Sequence, residues 1–75
     1  MEAHRSLDCR GDLCPMPVIK AEMAMRELQS GQILLIEATD PGSKYDFPGW
    51  CHQKGHKILE TKEDNKSFAF WIQKA

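Results

Sequence analysis

Three cysteines occur in this chain, at positions 9, 14 and 51, and Cys14 has the surroundings of a nucleophile. It stands in the stretch Asp8-Cys9-Arg10-Gly11-Asp12-Leu13-Cys14-Pro15-Met16-Pro17. A short apolar segment ends at Cys9, and Gly11 permits a sharp change of direction. An amphipathic helical pattern begins just past Cys14. Proline gives up no useful N–H in a first helical turn, so Pro15 or Pro17 suits that place. Cys14 therefore falls at or just before a helix N-terminus, where free N–H groups and the helix dipole favour an anion. A thiol so placed is expected to ionise below its ordinary value, and the thiolate is the form that attacks. The chemistry indicated is nucleophilic thiol chemistry. The plainer alternative is a cysteine serving as a small buried apolar residue.

The neighbouring polar residues admit two roles. Arg10 favours a thiolate at Cys14 and Asp8 opposes one; equally, the two orient the loop by hydrogen bonds. Cys9 and Cys51 are read as packing residues, with a resolving-thiol role as the alternative. His4, Cys9, Cys14, Cys51, His52 and His56 invite a zinc reading. Zinc ligands usually come in tight pairs such as C-x2-C, whereas four residues separate Cys9 from Cys14 and Cys51 adjoins His52. No metal or cofactor is expected.

These residues must be held by regular elements. The pattern predicts a first strand over 4–9 with Leu7 and Cys9 inward, and a helix from Met16 or Pro17 to Ser30. Val18, Ala21, Ala24, Met25 and Leu28 share its core face. Glu22 and Arg26 form an i,i+4 pair, and Gly31 stops the helix. A strand over 32–38 points Leu34, Ile36 and Ala38 to one side. Thr39 to Lys44 is a loop in which Asp40-Pro41-Gly42 has turn chemistry and Asp40 caps or turns the chain. A second helix runs from Asp46 or Phe47 to Lys54, with Pro48 early and Gly55 as its stop. Strands over 57–63 and 67–74 form a hairpin through Asp64-Asn65-Lys66. The fold class is α/β (α+β): a two-layer β-α-β-α-β-β sandwich with two helices on one face of a four-stranded mixed sheet. The other face carries Ile33, Leu35, Ala69 and Trp71, apolar enough to suggest weak self-association. Met16, Ile19 and Met23 project from the outward side of the first helix, an apolar stripe beside Cys14 suited to docking partners, since methionine repacks easily.

Asp8-x-Arg10-Gly11-x-x-Cys14-Pro15-x-Pro17 resembles the signature of the TusA (SirA-like) sulfurtransferase family. Thr39-Asp40-Pro41-Gly42-Ser43 resembles that family's second loop, Asp46-Phe47-Pro48-Gly49-Trp50-Cys51 its second helix start, and Gly55-His56 the segment after that helix. The resemblance spans nearly the whole chain and implies a small two-layer α/β fold. It also implies a cysteine, Cys14, that carries sulfur as a persulfide. Asp8, Arg10, Gly11, Pro15 and Pro17 would support it, and the Asp40 loop would lie near it, within reach of a partner. The implied activity is that of a sulfurtransferase acting stoichiometrically in a relay. The implied partners are a donor (cysteine desulfurase, rhodanese-like protein or another carrier) and an acceptor protein. Destinations within the family include tRNA thiolation, molybdenum cofactor biosynthesis and sulfur oxidation.

Composition bounds the alternatives. Seventy-five residues make one domain, 1–75, with a modest core. Ten basic and eleven acidic residues are well mixed, with net charge −1 and no basic stripe, which argues against direct nucleic-acid binding. The longest apolar run, Phe68 to Ile72, is too short to span a bilayer. Residues 1–5 lack a signal peptide's apolar stretch, and the odd cysteine count favours a reducing compartment. A cytoplasmic protein is expected. The rival readings are a regulatory or adaptor domain without sulfur chemistry, and a small thiol redox or metal-binding module using Cys9 and Cys14.

Overall fold

A computed structural model describes residues 2–75. The elements run β1 (Arg5–Cys9), α1 (Met16–Arg26), β2 (Ile33–Ala38), α2 (Ser43–Lys54), β3 (Lys57–Asp64) and β4 (Ser67–Gln73). The four strands form one mixed sheet in the order β1-β2-β4-β3. β1 pairs parallel to β2, and β4 runs antiparallel to both β2 and β3. Parallel neighbours require a crossover, and α1 supplies it.

Period-two alternation sets the register. Leu34, Ile36 and Ala38 of β2 oppose Ile72, Phe70 and Phe68 of β4, and Leu7 and Cys9 of β1 lie beside Ile36 and Ala38. This face meets Ala21, Ala24 and Met25 of α1 and Phe47, Trp50 and Cys51 of α2 in one core cluster. Phe47 is fully buried and packs against Phe70 with ring centroids 5.0 Å apart. On the opposite face Ile33, Leu35, Ala69 and Trp71 are half-buried. The Lys62 ammonium lies 5.4 Å from the Trp71 ring centre, so a charged side chain covers part of that face.

Several boundaries differ from the sequence expectation. α1 ends at Arg26, four residues before Ser30. The chain beyond it is tied to the end of β4: Gly31 N–H donates to the Lys74 carbonyl at 2.9 Å, Ser30 Oγ to the Ala75 carbonyl at 2.8 Å, and Lys74 Nζ to the Leu28 carbonyl. These distant bonds take the place of further helical ones, while Leu28 stays buried at 8 % exposure. Gly31, at φ +88°, serves the turn into β2 rather than the helix stop. α2 begins three residues earlier than Asp46, because the Asp40-Pro41-Gly42 turn leads directly into it: Ser43 N–H donates to Asp40 O and Lys44 N–H to Pro41 O. Pro48 therefore lies inside the helix, at its sixth residue. Gly55, at φ +79°, closes α2 as expected. Glu22 is not engaged by Arg26; it accepts a 2.8 Å bond from Trp50 Nε1 and lies 3.7 Å from Lys54, and so joins α1 to α2.

Candidate functional site

β1 delivers the chain to the site and Gly11 turns it. Gly11 has φ +86°, a region costly for any other residue, and its N–H donates to Thr39 Oγ1 at 2.8 Å. The same bond brings the loop after β2 against the loop after β1. Asp8 and Arg10 brace the turn. Arg10 Nε and Nη2 donate to Asp8 Oδ1 and Oδ2 at 2.9 and 3.2 Å, and the Arg10 N–H donates to Oδ1 at 3.0 Å. The guanidinium bonds hold the Asp8 carboxyl down at about 2. Of the two roles open to this pair, orienting the loop is the one its geometry supports. Asp12 is paired in turn with Lys20 of α1.

Cys14 lies two residues before α1, joined to Pro15 by a cis peptide bond. Pro15 is the N-cap residue and Pro17 the second helical one, so both prolines occupy positions that need no N–H partner. Pro17 is buried, and its carbonyl is 3.9 Å from Cys9 Sγ, which places Cys9 directly beneath the start of α1. Cys14 is exposed, whereas Cys9 and Cys51 are buried and burial pushes both thiols up to about 11. The two buried thiols belong to the core, as packing residues.

The second loop and α2 contribute what the sequence reading missed. Sγ of Cys14 and carboxylate oxygens of Asp40 and Asp46 all lie within 4.8 Å of one another. Gly42 makes the arrangement possible. A Cβ there would stand 2.9 Å from Asp40 Oδ2 and 3.4 Å from Asp46 Oδ2, so a side chain would push the carboxylates apart. The sequence places Asp40 in a turn, and the family resemblance implies that this turn lies near Cys14. It offers Asp46 only as a helix start, and the motif Asp46-Phe47-Pro48-Gly49 is the one signal available for it.

Those carboxylates reverse the expected ionisation of Cys14. Its pKa is raised above the ordinary thiol value, first by the neighbouring Asp46 carboxylate, which favours the protonated thiol, then by desolvation and the negative charge of Asp40. The helix N-terminus does favour a thiolate, but a whole formal charge on each of two carboxylates outweighs the half charge of a helix dipole.

The six residues of the zinc reading do not assemble. His4 Nδ1 accepts from the Ile33 N–H at 3.0 Å and His56 Nδ1 from the Ala75 N–H at 3.0 Å. Among the described residues the one group with ligand-like spacing is Cys14, Asp40 and Asp46.

Exposed apolar side chains accompany these carboxylates. Leu13, Met16, Ile19, Met23 and Tyr45 are the large hydrophobic residues left exposed, at 72, 43, 45, 62 and 79 %. The stripe of Met16, Ile19 and Met23 thus faces outward as expected. Val18, expected in the core face, is only half-buried, because it borders an open groove between α1 and α2. No helix is long and apolar enough to cross a membrane.

Comparison with known proteins agrees with this fold. Residues 5–74 match the family described as Sulfurtransferase TusA. A candidate sulfur carrier protein of Bacillus subtilis, YrkI, is 45 % identical over 74 residues, covering 99 % of both chains. The sulfur carrier protein TusA of Allochromatium vinosum is 39 % identical over 71 residues, covering 95 % of this chain and 93 % of its own. The crystal structure of a SirA-like protein from Desulfitobacterium hafniense superposes with a TM-score of 0.80 at 25 % identity, covering 92 % of this chain and 95 % of the other.

Proposed function

The chain belongs to the TusA sulfurtransferase family, and from that premise we propose that it is a sulfur carrier whose Cys14 holds sulfur as a persulfide between a donor protein and an acceptor protein. The observation that carries this reading is the contrast among the thiols. Cys14 alone is exposed, at the mouth of a groove between two helices, while Cys9 and Cys51 are sealed in the core.

The chemistry is two displacements at sulfur. The Cys14 thiolate attacks the outer sulfur of the donor persulfide, the donor S–S bond breaks, and the donor cysteine leaves as a thiolate with the bonding pair. An acceptor thiolate then attacks the outer sulfur on Cys14, and Cys14 leaves in the same way. The proton lost by each attacking thiol matches the one taken up by each departing thiolate, so no oxidant, metal or cofactor is consumed. Asp8, Arg10, Gly11, Pro15 and Pro17 hold the loop. Met16, Ile19, Met23 and Asp40 form the surface on which partners dock. A relay of this kind belongs in a reducing compartment such as the cytoplasm. Its donor would be a cysteine desulfurase or rhodanese-like protein, and its outlet tRNA thiolation, molybdenum cofactor biosynthesis or sulfur oxidation.

Incubation with a desulfurase and cysteine, with peptide mass spectrometry as the readout, tests the assignment. The expected result is a one-sulfur adduct on Cys14 that disappears in Cys14→Ser and persists in Cys9→Ser and Cys51→Ser. An adduct that maps to Cys51, or that survives Cys14→Ser, overturns it.

A further inference from the structure

We propose that the groove between α1 and α2 receives an extended segment of the partner whose cysteine is flanked by a lysine or arginine, and that Asp40 and Asp46 read that cation. The inference rests on the carrier reading of Cys14 and adds to it the chemistry of the partner's sequence.

The groove is shallow and open, about 500 Å³ in volume, lined by Cys14 and Val18 on one side and Tyr45, Asp46, Gly49 and Trp50 on the other. Gly49 contributes no side chain, and nothing lies within 4 Å of where its Cβ would stand. Gly49 has no positive φ, so the backbone does not require glycine there; its effect is to leave space beside Trp50. An open groove of this volume has room for one extended stretch of chain, whose cysteine would meet Cys14 in its lining.

Charge selects what stands next to that cysteine. Asp8 and Asp12 are neutralised by Arg10 and Lys20, whereas among the described residues neither Asp40 nor Asp46 takes part in an ion pair. Two unpaired carboxylates are thus held within 4.8 Å of the reacting sulfur. Left alone they repel each other and any anionic sulfur species, and a partner cation removes both penalties. The same cation offsets the charge that keeps Cys14 protonated, so docking would also release the nucleophile. Exposed Leu13, Met16 and Tyr45 at the rim add adaptable apolar area to this charge recognition.

The test uses two symmetrical peptide disulfides, of Gly-Cys-Arg-Gly and Gly-Cys-Glu-Gly, and measures the rate at which each forms a mixed disulfide with Cys14. One peptide S–S bond breaks, one forms to Cys14, and a peptide thiol departs. The intrinsic preference is set by a free peptide of residues 8–17 bearing Cys9→Ser. The arginine-to-glutamate rate ratio of the protein should exceed that of the free peptide about tenfold at low salt, the excess shrinking as salt rises. In Asp40→Asn/Asp46→Asn it should fall to the free-peptide value, and in Glu27→Gln, at the opposite end of α1 from Cys14, it should stay. If the double variant does not fold, Asp46→Asn alone should lose about half of the preference on a logarithmic scale. Gly49→Leu should slow both peptides severalfold by filling the groove. A wild-type ratio equal to that of the free peptide, or a ratio retained without the carboxylates, overturns the cation reading, and unchanged rates in Gly49→Leu overturn the groove. Persulfide loading of Cys14 from a small neutral donor is measured alongside. Loading without charge preference sinks this inference alone, and no loading sinks the carrier reading.

Discussion

Cys14 sits between two opposing fields, and their balance decides how the free protein behaves. The start of α1 offers N–H groups and a dipole that favour a thiolate, while Asp46 and Asp40, with carboxylate oxygens within 4.8 Å of the thiol, disfavour one. The carboxylates prevail, so Cys14 is mostly protonated at neutral pH. That has a use in a carrier, because the thiolate is the form that oxidises. Alkylation rate against pH is expected to inflect above the ordinary thiol value of 9.0 in the wild type. Asp46→Asn should move the inflection down and raise the rate at neutral pH. An inflection below 9.0 in the wild type would mean that the helix start dominates after all.

At the scale of the elements, α1 has two jobs on opposite sides. Its inner side presents Ala21, Ala24 and Met25 to the sheet, small enough in the first two cases to let the helix approach closely. Its outer side carries Met16, Ile19 and Met23, exposed and in line with Cys14. Trp50 and Glu22 hold α2 at the edge of α1 without covering that outer side. Ile19→Glu and Met23→Glu should therefore fold with stability within about 0.5 kcal/mol of the wild type, the usual range for exposed positions. Each should still take sulfur from a small donor, yet transfer to or from a protein partner should slow about tenfold or more, since a carboxylate would lose its water in the docked complex. Unfolding of either variant would assign the stripe to the core, and unchanged protein-to-protein transfer would move docking to the Asp40-Pro41-Gly42 loop.

The whole molecule is closed by contacts between distant parts of the chain. The C-terminal residues bind back to the α1–β2 turn through Lys74 and Ala75, and Ala75 also donates to His56. His56 packs on Trp50 with centroids 5.0 Å apart, and burial lowers its pKa below the ordinary 6.5. The folded state thus holds His56 neutral where the unfolded chain takes up a proton. This contribution to stability is present above the unfolded value of 6.5 and is lost as the pH falls through the lower folded value. Urea midpoints should accordingly decline from about pH 7.5 to about 5.5 in the wild type, and the slope should flatten in His56→Gln. An equal slope in the two proteins would show that other groups set the pH dependence.

Local patterns determined most of the architecture. Period-two alternation in 33–38 and 67–73, helical spacing in 16–26, and glycines where φ must be positive are properties of neighbouring residues, so six elements and the inward faces could be read in order. The placement of Cys14 at a helix start was legible for the same reason: the glycine before it and the prolines after it locate a turn and a helix start within a short stretch of chain. Tertiary structure decided whatever depended on charges or hydrogen bonds from far along the chain. α1 stops at Arg26 because the end of β4 supplies bonds to Leu28, Ser30 and Gly31 from more than forty residues away. Glu22 turns from its helical neighbour Arg26 to Trp50 on the other helix. The ionisation of Cys14 reverses sign because folding carries Asp40 and Asp46 to the thiol. A helix dipole can be inferred from sequence spacing alone, but a through-space charge acts at a distance that only the folded chain sets.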